Sequence, residues 1–375
     1  MTTHATADER AQLIKRSLHV GDPLADAVIT EMDELGGPAR RLFNEGLKNG
    51  LASLEGDVPP AIAALLKEVW DVPDWVDTEK LAVGETGYLS VEVQWTQIAL
   101  ALGSLLPEYS TPRIAAVLAG TGRLVTTTQR RLQETGKWLN SVALPGGLVL
   151  GGPGYLDTVQ VRLMHARVRA TNQKHGWDTE TLGTPINQVD LARTWLDFTY
   201  SPLEALQTLG ITFTDEELTG LYRYWQYVAY LLGVDPAIYR SINDHKQAGE
   251  WYDAIAEVSG EPDENSVALT SATVEVLTET LSELTLKTPV PLTKDLVAAF
   301  ARHILGDELC DRLGVGTSEL VPLVNLFAQG NQRSRRWQRM SSEAWEQGLK
   351  QNIEARRFLV GLTEGATVYQ QNVAV

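Results

Sequence analysis

The chain has 375 residues, 43% of them hydrophobic and 21% charged, which is the composition of a folded globular protein. Its 32 basic side chains face 48 acidic ones, and the net charge of −16 argues against nucleic acid and anionic membrane surfaces as partners. The single cysteine, Cys310, excludes an intrachain disulfide, a cysteine-rich zinc site and a covalently tethered c-type haem.

Apolar residues recur mostly at intervals of three and four, which predicts an all-α protein. Four short helices, separated by Gly and Pro, are expected to begin near Ala7, Pro23, Gly37 and Pro59. From about Gly84 the helices become longer, and we predict them at 86–105, 112–119, 123–141, 155–175, 187–198, 202–209, 215–233 and 264–284. We therefore divide the chain into an N-terminal helical extension (1–85), a core (86–300) and a C-terminal helical extension (301–375).

The two ends of the chain carry little apolar sequence. The first 20 residues include no apolar segment and no pair of adjacent arginines, so no export leader is expected there. No apolar stretch reaches the roughly 20 residues that a membrane-spanning helix needs.

Near the C-terminus, a basic run at 333–339 precedes an amphipathic stretch at about 342–362. We expect the basic run to form a solvated helix face that pairs with acidic surface.

His165 is the histidine with the most informative surroundings. At about 100° per residue, Arg162 and Arg169 fall on the same strip of its helix. An imidazole between two arginines suits an anionic, iron-bearing macrocycle, with the imidazole as axial ligand and an arginine for the propionates. The same spacing also fits a salt-bridged helix face with an ordinary histidine. His303, in an apolar helix, is the rival candidate for an axial ligand.

A second polar strip lies on the preceding helix. Arg131, Glu134, Thr135 and Trp138 recur at three, one and three residues, which places polar groups beside an aromatic ring. Taken alone, this strip is also explained by an ion pair between Arg131 and Glu134 on the protein surface.

Taken together and in order, these segments resemble the latex clearing protein family of rubber oxygenases. The similarity covers most of the chain and is strongest from about 118 to 240. The motifs that carry it are Arg131-x-x-Glu134-Thr135 and the segments 163–169, 185–188, 192–198, 221–227 and 231–236.

The resemblance implies a haem b enzyme with a globin-like helical core, in which dioxygen cleaves the double bonds of poly(cis-1,4-isoprene). The products would be oligo-isoprenoids with aldehyde and ketone ends. By position, His165 matches the proximal iron ligand of the family, and Arg131 and Thr135 match the arginine and threonine of its distal motif. Arg162 and Arg169 are the candidates for holding the haem propionates.

Glu134 departs from the family pattern, which has a lysine between that arginine and threonine. A carboxylate brings negative charge to the distal side and ligates ferric iron better than ferrous iron. We predict that Glu134 either acts as the general base that removes an allylic proton, or pairs with Arg131 and leaves the sixth iron position to water or dioxygen.

Two other functions remain open at this point. One is an oxygenase that acts on a smaller isoprenoid side chain, and the other is a haem protein that binds oxygen or an isoprenoid without cleaving it. We expect a monomer. An extracellular location suits a polymer too large to enter a cell and implies that this chain is a mature form, whereas a cytoplasmic location would favour the smaller substrate.

Overall fold

The computed structural model describes residues 6–120, 124–284 and 288–363. Within these ranges the chain forms α-helices and no β-strand, which confirms the all-α prediction. The helices are α1 (Ala7–Ser17), α2 (Pro23–Leu35), α3 (Gly37–Asn49), α4 (Pro60–Trp70), α5 (Thr78–Leu89), α6 (Val93–Leu100), α7 (Leu106–Tyr109), α8 (Pro112–Ala119), α9 (Leu124–Ala143), α10 (Pro153–Lys174), α11 (Thr179–Leu182), α12 (Gln188–Thr208), α13 (Asp215–Leu231), α14 (Pro236–Tyr239), α15 (His245–Ala256), α16 (Glu264–Leu284), α17 (Val290–Leu305), α18 (Asp307–Arg312), α19 (Val321–Met340) and α20 (Ser342–Thr363).

The predicted starts of the first four helices are confirmed to within one residue, because local signals set them: side-chain caps for α1 and α2, and proline in the first turn of α3 and α4. The Thr6 hydroxyl accepts a hydrogen bond from the backbone of Glu9, whose side chain accepts one from the Thr6 backbone, forming a capping box before α1. The Asp22 carboxylate accepts a 3.2 Å hydrogen bond from the Ala25 backbone at the start of α2.

The predicted helix at 86–105 is wrong as a single element. Helix α5 ends at Leu89, α6 begins at Val93, and a π-helical turn over 101–105 leads into α7. The break lies at Ser90, whose carbonyl and hydroxyl both accept hydrogen bonds from Arg335 of α19, 245 residues away in sequence. A long-range contact of this kind leaves no mark in local periodicity.

The predicted division into helices at 187–198 and 202–209 is also wrong, because α12 runs unbroken through Pro202. Proline in a helix interior removes one backbone hydrogen bond and is usually disruptive. Most side chains of α12 are buried, however, and packing on several sides supplies more stabilisation than local propensity removes.

The largest buried apolar cluster draws on helices from both sides of the predicted boundary near residue 85, from Leu13 on α1 to Leu269 on α16. Helix α5 packs along α13 so closely that a Cβ atom on Gly84 would lie 2.2 Å from the carbonyl oxygen of Gly220. In the described residues, no helix is both long enough and apolar enough to cross a membrane.

Candidate functional site

A cavity of about 320 Å³ lies among α7, α8, α9, α10 and α12, with additional wall from α13. Its walls are predominantly apolar and aromatic. The apolar lining residues are Leu105, Tyr109, Ile114, Val117, Leu118, Leu132, Trp138, Val161, Met164, Val168, Ile186, Leu191, Trp195, Phe198, Trp225 and Leu232. A water-poor space of this kind suits a hydrocarbon or the face of a macrocycle. Its polar lining residues are few and are described in turn.

His165 lines this cavity from α10, beside Val161, Met164 and Val168. Its Nδ1 atom is buried and has no hydrogen-bond partner among the described residues. Burial, with the Arg169 cation as a second cause, lowers the pKa of His165 to about 4, so the imidazole is neutral at pH 7. A neutral, unpartnered imidazole in an apolar cavity has the chemistry of an iron ligand.

Helix α9 brings Arg131, Glu134 and Thr135 to the same cavity, so the structure places the predicted distal residues and His165 together. The Arg131 guanidinium donates to the Thr128 hydroxyl at 3.2 Å and to the Leu118 carbonyl at 3.3 Å. It forms no ion pair with a carboxylate in the part of the chain that the structure describes. A cation therefore faces a largely apolar space.

Glu134 pairs with Arg130 rather than with Arg131. The Arg130 Nε atom lies 2.7 Å from the Glu134 Oε1 atom, one helical turn away. The Arg131–Glu134 ion pair considered from the sequence is therefore wrong. Side chains four residues apart meet on a helix as readily as those three apart, and sequence spacing alone does not choose between them.

Arg162 and Arg169 do not line the cavity. The Arg162 Nε atom lies 2.6 Å from the Asp22 carboxylate and its Nη1 atom 2.7 Å from that of Glu68. Arg169 pairs with Asp26 at 2.5 Å. Both guanidinium groups thus join α10 to acidic partners in the N-terminal part of the chain, and we do not propose them as propionate partners. On α10, the two arginines lie on the strip beside the face that lines the cavity. His165 lies at the edge between this strip and that face.

Arg169 still shapes the cavity indirectly. Its guanidinium donates to the backbone carbonyls of Pro185 at 3.1 Å and Ile186 at 2.9 Å. Ile186 has a positive φ of 49°, which is unusual for a β-branched residue, and its side chain lines the cavity. The arginine therefore holds the turn that precedes α12.

Glu108 is a cavity residue that the sequence analysis missed. The Thr194 hydroxyl donates a 2.9 Å hydrogen bond to its Oε1 atom. Burial, reinforced by the nearby Asp197 carboxylate, raises the pKa of Glu108 to about 7, although Thr194, Arg193 and Arg131 oppose the shift. Glu108 follows the apolar stretch 98–106, and an acidic residue at the end of such a stretch was the signal available in the sequence.

Asp190 is the second acidic residue that the sequence analysis missed. Asn187, the N-cap of α12, accepts hydrogen bonds from the backbone of Val189 and Asp190 and donates one of 2.8 Å to the Asp190 carboxylate. Arg113 on α8 lies 3.2 Å from the same carboxylate. Burial nevertheless raises the pKa of Asp190 to about 6. An Asn three residues before an Asp is a typical helix start, which gives no sign of a cavity.

These residues fit a haem better than a metal bound by protein side chains alone. No group of three or more His, Cys, Asp or Glu side chains suited to a metal ion occurs in the described ranges. A haem supplies four ring nitrogens itself and needs one or two ligands from the protein. The His165 imidazole, with no partner for Nδ1, could provide one such ligand, and the apolar walls would suit the porphyrin face.

Residues 93–330 match the family described as the catalytic domain of ER-bound oxygenase mpaB/B'/rubber oxygenase. A rubber oxygenase of Streptomyces sp. (strain K30) is 24% identical over 330 residues, which cover 83% of this chain and 77% of that protein. The solved structure of latex clearing protein LCP in the closed state has the same fold, with a TM-score of 0.66 and 20% identity over 90% of this chain and 91% of that one. The family match spans well over half of the chain and confirms the resemblance found in the motifs: this chain belongs to the mpaB and rubber oxygenase family, which includes the latex clearing proteins.

Proposed function

We propose that the chain is a haem b-dependent oxygenase that cleaves the double bonds of poly(cis-1,4-isoprene) with dioxygen, giving oligo-isoprenoids with aldehyde and ketone ends. The observation that carries this proposal is the His165 imidazole, whose buried Nδ1 atom has no hydrogen-bond partner among the described residues, in the same apolar cavity as Arg131 and Thr135. Membership of an oxygenase family and similarity to a rubber oxygenase support the choice of reaction and substrate.

His165 would hold the haem iron through its imidazole. When bound, the haem would supply the iron that binds and activates dioxygen. The chain's own contribution is an apolar enclosure that excludes water and orients one isoprene unit through van der Waals contact, because a hydrocarbon offers no hydrogen bonds. Trp138, Trp195 and Phe198 provide broad aromatic surfaces for that contact.

Arg131 and Thr135 are the polar groups that we place beside the reacting oxygen atoms. A guanidinium without a carboxylate partner stabilises negative charge that develops on oxygen in a low-dielectric space. The Thr135 hydroxyl, in the same wall, can both donate and accept a hydrogen bond.

Glu108 is a second candidate for the general-base role that we predicted for Glu134. The Glu134 carboxylate is engaged by Arg130. The Glu108 carboxyl has a pKa near 7 and is therefore suited to both accept and return a proton near neutral pH. We assign the proton-handling role to Glu108, and Glu134 to the wall beside Arg131.

The test is oxygen uptake by the haem-loaded protein with polyisoprene latex, followed by detection of carbonyl groups on the products. Uptake with carbonyl formation supports the proposal. Uptake with squalene but not with latex would instead identify an oxygenase of small isoprenoids, and a Soret band without uptake on either substrate would identify a haem protein that only binds. The extracellular location stays a prediction tied to the polymer substrate.

A further inference from the structure

Helix α19 (Val321–Met340) differs in charge from the rest of the chain. It contains four arginines and no Asp or Glu, in a chain whose net charge is −16. Its inner face is well anchored to the body of the protein. Val324 is fully buried, Asn331 donates to the Leu209 carbonyl at 2.9 Å, and Arg335 donates to Ser90 and Thr212.

The outer side of α19 carries exposed apolar side chains toward both ends of the helix, with Gly330 and Arg333 between them, while Phe327 also packs against Trp95 and Phe300. At about 100° per residue, positions 323, 326, 327, 330, 333, 337 and 340 fall on one side of the helix. Leu326, Trp337 and Met340 are 62%, 64% and 86% exposed. The stripe covers about 25 Å of helix at 1.5 Å per residue. Several large exposed apolar side chains on one side of a helix, with cations beside them, suit a contact surface.

The arginines of α19 divide into two pairs. Arg339 pairs with Glu217 at 2.5 Å, as predicted for this run, but Arg335 is buried, so the predicted solvated face is wrong at that position. Arg333 and Arg336 are exposed, and no ion pair joins either of them to a carboxylate in the described ranges. They lie in and beside the apolar stripe, so this surface combines apolar side chains with unneutralised positive charge.

We propose that this face of α19, the stripe from Leu323 to Met340 with Arg333 and Arg336, docks the protein on an anionic phospholipid surface. An amphipathic helix with Trp, Phe and Leu toward the acyl boundary and arginines toward the headgroups lies in the plane of such a surface. This reverses the expectation that the net charge of −16 disfavours anionic membrane surfaces. Charges more than about 8 Å away are screened at physiological ionic strength, so the local charge of this face decides. Docking of a second copy of the chain on the same stripe is less favourable, because it would bring Arg333 and Arg336 of the two copies close together.

The test is co-sedimentation of the full chain with vesicles of phosphatidylcholine alone and of phosphatidylcholine with about 30% phosphatidylserine. We expect binding to the anionic vesicles and little binding to the neutral ones. The double variant R333Q/R336Q should lower partitioning into anionic vesicles about 25-fold, because each basic residue near such a surface contributes a factor of about five. The double variant L326S/W337S should abolish it. L35S is the matched control, because Leu35 is 52% exposed on α2 outside the stripe.

Several outcomes would overturn the proposal: absence of binding to anionic vesicles, unchanged binding in L326S/W337S, or an equal loss in L35S. A dimer in size-exclusion chromatography that L326S/W337S converts to a monomer would assign the stripe to a second copy instead. Far-UV circular dichroism and the unfolding midpoint of each variant verify that the fold is retained. None of these measurements depends on haem or on oxygenase activity. Their outcome therefore tests membrane docking independently of the proposed function.

Discussion

The Thr194 hydroxyl donates a 2.9 Å hydrogen bond to the Glu108 Oε1 atom inside the cavity that His165 also lines. A hydroxyl donor stabilises the charged carboxylate, while burial and the Asp197 carboxylate favour the neutral acid. Burial and Asp197 outweigh the opposing groups and raise the pKa to about 7, so the carboxyl is divided between its two protonation states near neutral pH. This property distinguishes Glu108 from Glu134, which pairs with Arg130.

We therefore expect Glu108→Gln to lower kcat by at least tenfold, since general acid–base groups contribute about 10²- to 10⁴-fold. Glu134→Gln should change kcat by less than about threefold. Oxygen uptake with latex by haem-loaded protein measures both variants, and the intensity of the Soret band controls for haem content. The reverse order of effects would return the base role to Glu134, as the sequence first suggested.

The raised pKa of Glu108 also makes the stability of the protein depend on pH. Between its ordinary value of 4.5 and about 7, the folded state binds more protons at this site than the unfolded state does. Stability from this group is thus fully present below pH 4.5 and is lost as the pH rises through 7. The free energy of unfolding of Glu108→Gln, relative to the original chain, should rise between pH 5 and pH 8, by at most roughly 3 kcal/mol.

Urea unfolding at the two pH values measures that difference. The Asp190 carboxyl, whose pKa is also raised, is present in both proteins and cancels in the comparison. Thr194→Val removes the hydrogen-bond donor that lowers the pKa of Glu108. In this variant the pKa should therefore rise, and the loss of stability caused by ionisation of Glu108 should extend to higher pH. A difference between Glu108→Gln and the original chain that stays constant with pH would contradict the assigned shift.

The sequence predicted well whatever depends on local chemistry. Helix starts at Ala7 and Pro23 follow from caps within three residues. His165, Arg131 and Thr135 were found together because helices α9 and α10 are neighbours in sequence as well as in space. The position of Glu108 after an apolar stretch was a signal in the sequence, but its place in the cavity depends on α7 packing beside α12, whose Thr194 lies 86 residues away.

The roles of Arg162 and Arg169 show a second limit of sequence reasoning. Their spacing correctly predicted that they lie near His165 on the surface of α10. Helical periodicity predicts which side chains share a face, but it does not identify what packs against that face. The partners, Asp22 and Asp26, lie at the start of α2, 140 and 143 residues away in sequence. A buried arginine needs a carboxylate partner. For Arg162 and Arg169 that carboxylate comes from the N-terminal part of the chain and not from a haem propionate.

Arg162→Met should consequently act on stability and not on the haem. The pair with Asp22 is buried on both sides, with 5% of each side chain exposed. Removing one partner leaves an uncompensated buried charge, which costs about 3–5 kcal/mol. Denaturant unfolding measures the loss, and the Soret maximum of the loaded variant should match that of the original chain. A shifted Soret maximum with unchanged stability would restore Arg162 as a propionate partner.

His165→Ala should abolish haem binding while the helical fold is retained. The imidazole is the candidate ligand that lines the cavity, and its removal leaves Val161, Met164 and Val168, with no nitrogen ligand, on that face of α10. His303→Ala is the matched control, because the His303 side chain contacts the Thr208 carbonyl at 3.1 Å, outside the cavity. We expect the Soret band to disappear in the first variant and to persist in the second. Free imidazole added to His165→Ala should restore the band, since a small ligand can enter the space that the side chain vacates. A band that survives in His165→Ala and vanishes in His303→Ala would move the iron to α17 and remove the basis of the proposed reaction.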